Sequence, residues 1–358
     1  MKMKKIFLAV VCALVVASCG QKKGQTEGVA DAQQAELDDV YNKVYTAEEI
    51  ADGWTKRDIP VENGSKQPNI AELLAAFNKT WTTEVYANLP TLEKGQTRVN
   101  YLFDADAAGS AEIDILEDYA NVMPGDSPED ILRSSLWRRS NGHTLFAITI
   151  SGHEDNNPSL VCFYDYDPKT QTMKPETDNA VLKYSPASDK HIDYILPERG
   201  TALMVAERAD DDYQFTWNVF EWDGMKFNKV NSYTDDQMME ALNGVWMNED
   251  ESFPFTFRVG ASLEEGGSLG ISDCGIYGST EFEVECIFAQ GKLQVYELAD
   301  GDQEPSYRRS LDCDLYLTKD GKLRGGYYIR QSDDREWRGI MTLAKQEAGQ
   351  EEQSDDVE

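Results

Sequence analysis

The residue pattern predicts a mainly β protein with a few helices, α+β in its N-terminal part and wholly antiparallel in its C-terminal part. Short apolar/polar alternations recur along most of the chain, as in Phe253, Phe255, Phe257 and Val259, and a period of two is the strand signature. Turn pairs such as Asp223-Gly224, Gln290-Gly291 and Asp320-Gly321 separate these runs, which is the chemistry of tight hairpins. Only a few segments place apolar residues at the spacing of an amphipathic helix.

Those few come first along the chain. Leu37, Val40, Tyr41 and Val44 recur at helical spacing, and Thr46 followed by Glu49 has the form of a capping box that starts a second short helix. Ile70, Leu73, Leu74, Phe77 and Trp81 make one stripe, with Asn69 and Glu72 as its cap. Ser127-Pro128-Glu129-Asp130 predicts another helix, with a cap residue, proline at the first helical position and acids in the first turn. It would carry Ile131, Leu132, Leu136 and Trp137 to a core.

Strands are expected at 99–103, 144–150, 159–166, 201–207 and 215–222, the second so continuously apolar that both its faces should be covered. Tyr101 to Asp104, Tyr164 to Asp167 and Phe220 to Asp223 each read aromatic, any, aromatic, Asp. Recurring hairpin chemistry explains this faint repeat, with an incomplete propeller or a duplicated sandwich as the alternative. From Gly244 onwards seven or eight short strands follow one another through tight turns. Closing such a meander into a small 7–8-stranded barrel would remove its exposed edges. The organisation that results is a leader over 1–18, a tether over 19–34, a β-rich domain with helices and hairpin repeats over 35–235, a small antiparallel barrel over 240–345 and an acidic disordered tail over 346–358.

The chain of 358 residues carries 34 Lys+Arg against 65 Asp+Glu, a formal charge of −31. Such a chain repels nucleic acid, so nucleic-acid binding is excluded as a class. The acids are widely spread, which describes a solvated surface; calcium or a basic partner protein is the sharper alternative. Cys162, Cys274, Cys286 and Cys313 lie beyond the leader, without the paired spacing of a zinc site. Cys286 and Cys313 alternate with apolar neighbours, so buried free thiols are expected, with one disulfide involving Cys274 as the second reading.

The leader is the most specific segment. Lys2, Lys4 and Lys5 precede an apolar run over 6–17 and the small Ser18, and the chain turns polar from Gly20. That is a secretory signal, too short to span a bilayer, which takes about 20 residues. Val16-Ala17-Ser18-Cys19 resembles the lipobox of bacterial lipoproteins. The resemblance implies cleavage before Cys19, acylation of its thiol and a location in the cell envelope. Gly20 implies transfer to the outer membrane. Lys22 and Lys23 depart from the acidic run that accompanies export to the surface, so the periplasmic side is expected.

In the C-terminal part, Gly244 and Trp246 on the first strand and Arg338 on the last resemble the signature of lipocalin-like barrels. The resemblance implies that the arginine packs across the tryptophan and closes one end. It also implies an interior that takes a small apolar ligand. A barrel filled by its own side chains is the alternative, favoured by short strands.

Catalytic signatures are sparse. His143, His153 and His191 are scattered, with no metalloprotease, nucleophile-elbow or phosphate-loop motif around them. Asp104, Asp106 and Gly109 resemble the start of a calcium loop but lack its bidentate acid, so an acidic turn is the better reading. Glu283 with Glu285 and Asp312 with Asp314 alternate with apolar residues, which puts both pairs on outward faces where solvent keeps them ionised. That is unsuited to glycosidase chemistry. Trp54, Trp217 and Tyr277 have no evident place, and aromatics on β-domains can stack on sugars. The expectation is therefore a non-enzymatic envelope lipoprotein held by Cys19 and acting by binding a ligand or protein partner, without a cofactor. The alternatives are a structural or assembly partner in an envelope complex, or a hydrolase of cell-wall or glycan material.

Overall fold

Thr46 caps α1 (Ala47–Gly53): its hydroxyl accepts from the Glu49 amide, and the Glu49 carboxylate accepts from the Thr46 amide. Asn69 opens α2 (Ile70–Thr80) by accepting from the Glu72 amide at 2.9 Å. The stripe Ile70, Leu73, Leu74 and Phe77 is buried, as its spacing predicts. The computed structural model describes Lys43 and residues 45–82, 99–105, 109–115, 119–123, 130–152, 160–184, 190–209, 214–249, 256–263, 269–277, 284–297, 310–330 and 336–346. Cys19, the apolar stripe from Leu37 to Val44, His153, Asp106 and the acidic tail lie outside those residues. The chain divides into units Met1–Tyr45 and Thr46–Glu358, and the elements below belong to the second.

The first sheet contains β1 (Ile59–Pro60), β2 (Val99–Ala105), β3 (Gly109–Ile115), β4 (Tyr119–Met123), β5 (Asp130–Arg138), β6 (Thr144–Gly152), β7 (Leu160–Asp167) and β8 (Thr172–Pro175). They form an antiparallel meander in the order β1-β8-β7-β6-β5-β4-β3-β2. Strand β5 corrects the expected helix over 127–137, for it is laddered to β6 along its length and to β4 from Leu132 to Ser135. Ser134, Ser135, Leu136 and Trp137 are all buried. A strand covered on both faces loses its period of two and can imitate helical spacing, and the long-range ladder overrides the local cap.

A second sheet has the order β12-β11-β10-β9, from β9 (Lys190–Ile195), β10 (Leu203–Ala209), β11 (Thr216–Trp222) and β12 (Phe227–Thr234). The Asp223-Gly224 hairpin is present but two residues longer than its turn pair suggests, because Trp222 pairs with Phe227. Asp223 Oδ1 accepts from the Met225 amide at 2.8 Å, and Asp167 Oδ1 accepts from the Lys169 amide at 2.8 Å. Two members of the faint repeat thus share the same Asx turn. The Asp104 side chain lies outside the described residues.

Helix α3 (Asp235–Leu242) follows, with Thr234 and Gln237 as a capping box that the sequence reading passed over. It leads into the third sheet: β13 (Gly244–Asn248), β14 (Thr256–Leu263), β15 (Leu269–Tyr277), β16 (Val284–Ala289), β17 (Lys292–Glu297), β18 (Ser310–Leu317), β19 (Leu323–Arg330) and β20 (Glu336–Lys345). The order β15-β14-β13-β20-β19-β18-β17-β16 joins the first strand of this meander to the last. Full closure would require a ladder between β15 and β16, and none is present among the described residues. Gln290 and Gly291, at φ 54° and 75°, form the two-residue turn expected between β16 and β17.

The layers explain which strands read as continuously apolar. One face of β6 and β7 meets the helices, where the Phe77 ring packs 6.2 Å from Phe146 and 6.1 Å from Tyr164. Their other face places Leu145, Ala147, Val161 and Phe163 against Leu203, Val205 and Phe220 of the second sheet. The second sheet in turn shares a core with the third, through Met204, Ala206, Trp217 and Val219. Trp54 and Trp217 are therefore core residues, 6% and 5% exposed. The Tyr277 side chain lies outside the described residues.

Burial gives this core an alkaline limit. The hydroxyls of Tyr164, Tyr233 and Tyr316 are all raised above the ordinary value of 10.0, chiefly by desolvation. A group raised on folding contributes stability that is complete below its unfolded pKa and is lost as pH rises through the folded one. The fold is therefore expected to hold up to about pH 10 and to weaken above it, where the unfolded tyrosines ionise. An absorbance titration should show the last tyrosinates appearing together with loss of the far-UV dichroism signal. Complete tyrosine ionisation in a protein that keeps its native dichroism would contradict this.

Candidate functional site

Strand β18 alternates as the sequence predicts, with Cys313, Leu315 and Leu317 buried on one face. Asp314 and Tyr316 point the other way, yet they are only 7% and 4% exposed. This corrects the expectation that Asp314 sits in solvent. The outward face of β17 to β19 is covered by the second sheet and by the segment 199–202 before β10. An ideal Cβ on Gly326 would lie 2.0 Å from the Gly200 nitrogen, so the two backbones touch. Glycine in a strand interior marks such close approaches, and Gly325-Gly326 was the one sequence signal available for this seam.

Charged groups converge beneath that cover. Lys292 Nζ lies 3.6 Å from Asp314 Oδ2, with side chains 4% and 9% exposed. The Tyr316 hydroxyl donates to Glu221 Oε1. Arg324 Nε stands 3.4 Å from the same oxygen. Burial and then the Glu221 carboxylate hold the Tyr316 hydroxyl protonated well above the ordinary range. These groups line a cavity of about 20 Å³ together with Trp222, whose ring packs against Trp137 and Phe227. That volume suits about one water molecule.

A second charged knot sits where β5 and β6 meet β7 and β8. Arg139 donates from Nη1 to Asp165 at 2.7 Å and from Nη2 to Glu176 at 2.6 Å. His143 Nδ1 lies 2.7 Å from Asp165 Oδ2, and its Nε2 faces Asp167 Oδ1 at 3.9 Å. Only Nδ1 of His143 is within hydrogen-bond reach of a carboxylate; Nε2, 3.9 Å from Asp167, is too far for one. The knot pins a hairpin end.

The barrel signature residues separate in the structure. Trp246 is fully buried, and its indole N–H donates to the Leu242 carbonyl at 2.8 Å. Register places Lys345 of β20 opposite Trp246, with Lys345 Nζ 5.6 Å from the ring centre. Arg338 pairs with Tyr328, seven residues back along β20. Lys345 therefore takes the place across the tryptophan that the resemblance implied for Arg338. Gly244, at φ 137°, lets the Lys345 stem pass close to its backbone. Cys162 and Cys313 are free and buried, as expected, whereas Cys286 is disulfide-bonded, which corrects the expectation of a free thiol there. Among the described residues no group of acids, histidines and cysteines could hold a metal ion. Comparison with protein-family models, with curated proteins and with solved structures gives no match.

Proposed function

We propose that this chain is an outer-membrane lipoprotein of the bacterial envelope that faces the periplasm and works by binding. The observation that carries the reading is the leader, whose Val16-Ala17-Ser18-Cys19 ending places an acylatable thiol directly after a short apolar run. Each acyl methylene buried in the bilayer contributes about 0.8 kcal/mol, so two or three chains would hold the body permanently. The inward residues Leu293, Val295, Leu315, Leu323 and Leu343 occupy the interior of the third sheet, which favours recognition at the outer surface over an apolar ligand inside.

The anchor is tested by replacing its thiol. Wild-type protein expressed in a bacterium is expected to incorporate labelled palmitate and partition into the detergent phase. Cys19→Ala should incorporate none and move to the soluble periplasmic fraction. Equal membrane fractionation of both proteins would end the anchor reading.

A further inference from the structure

Cys286 is disulfide-bonded, and strand register points to its partner. Within Thr46–Glu358 the cysteines are Cys162, Cys274, Cys286 and Cys313. Cys162 and Cys313 keep their thiols. Cys313 also stands two strands from Cys286, with Val295 opposite both. Two strand spacings are about 10 Å, beyond the roughly 7 Å that a disulfide bridges between Cα atoms. Cys274 of β15 is the cysteine left in that unit.

Cys274 and Cys286 lie on β15 and β16, the two end strands of the third sheet. Those strands adjoin, with Cα atoms within 8 Å of each other, yet share no ladder among the described residues. Successive ladders carry one face of the sheet from one cysteine to the other, because opposite and alternate positions share a face. Cys286, Val295, Cys313 and Tyr327 stand opposite one another in turn, and Tyr327 stands opposite Gly339. Lys345, on the same face of β20, stands opposite Trp246. Gly244, two positions before Trp246, stands opposite Val259, and Val259 opposite Cys274. Backbone register thus sets both cysteine positions on the inner face, where Val295, Leu315, Trp246 and Val259 are buried.

We propose that a Cys274–Cys286 disulfide closes the third sheet into a barrel at the junction that no ladder spans. The reach of a disulfide between Cα atoms, about 4.4–6.8 Å, covers the separation of neighbouring strands. One bond therefore holds the two edges at sheet distance and keeps their unpaired backbone groups turned from other chains. Its formation takes two electrons and two protons from the thiols and passes them to the disulfide of an oxidoreductase, which becomes a dithiol. The body of the protein is complete only in an oxidising compartment, a requirement that does not depend on acylation at Cys19.

The test uses the full mature chain, isolated without reductant and kept in a zwitterionic detergent. A glutamate-specific protease cuts after Glu281, Glu283 and Glu285, between the two cysteines. The Cys274 and Cys286 fragments are expected to appear as one species in mass spectrometry and to separate on reduction. Cys286 joined to any other cysteine, or recovered as a thiol, would overturn the pairing. Closure is read separately. Dithiothreitol should lower the Tm of the wild type by about 5–10 °C, the effect of releasing a loop of about a dozen residues. It should leave the double variant Cys274→Ala, Cys286→Ala unchanged, because that protein starts at the lower value. Amide exchange over 269–277 and 284–289 should quicken on reduction while 144–150 keeps its rate. Unchanged Tm and exchange in the reduced wild type would show that β15 and β16 are held without the bond, which ends the closure. That measurement needs no variant, so it decides even if the double variant fails to fold. None of these outcomes bears on membrane fractionation, which tests the anchor separately.

Discussion

Gly326→Ala is expected to destabilise the protein by about 3 kcal/mol, the upper end of ordinary overpacking costs. The added methyl would lie 2.0 Å from the Gly200 nitrogen and 2.3 Å from the Arg199 carbonyl carbon. Both obstacles are backbone, so no rotamer change relieves them. Strand β19 cannot retreat, because β18 and β20 ladder it on both sides. The segment 199–202 would have to lift, opening the cover over Lys292 and Asp314. Gly321→Ala is the control: nothing lies within 4 Å of its Cβ, and its φ of 77° alone carries a cost of about 1 kcal/mol. Thermal unfolding of both variants separates the two effects. Equal, small shifts in Tm would show that the seam is not closely packed.

Trp246→Ala should cost about 3–5 kcal/mol, the usual range for deleting a fully buried large aromatic. Three losses combine at this position. The ring is 0% exposed, its N–H ties β13 to the last turn of α3 through Leu242, and Lys345 lies over its face. Trp246→Phe restores most of the volume but leaves the Leu242 carbonyl without its donor, which should cost about 1–3 kcal/mol. Urea denaturation followed by circular dichroism gives both numbers. A Phe variant as unstable as the Ala variant would mean that the hydrogen bond, not the packing, dominates.

Local signals in the sequence were reliable where the cause was local. The Thr46–Glu49 box, the Asn69 cap and the Gln290-Gly291 turn depend on residues a few positions apart, and each appears as its chemistry dictates. Segment 127–137 failed because its strand identity comes from partners on β4 and β6. Once both faces were buried, alternation no longer distinguished strand from helix. The Thr234–Gln237 box was equally legible and was missed because the strand pattern ran straight into it. Asp314 shows the limit of alternation: it gives the direction of a side chain but not what covers that direction. The cover comes from 199–202, more than a hundred residues away in the chain. The seam was therefore visible only as two adjacent glycines in a strand.

The position of the second sheet has a consequence for biogenesis. Met204, Trp217 and Val219 find their partners only in strands made later, so the second sheet, once it has emerged from the ribosome, keeps one greasy side open until those strands follow. A chain that crosses a membrane unfolded and collapses only after its last strand has arrived avoids that interval altogether. Export as an extended thread thus suits this architecture better than piecewise folding during synthesis.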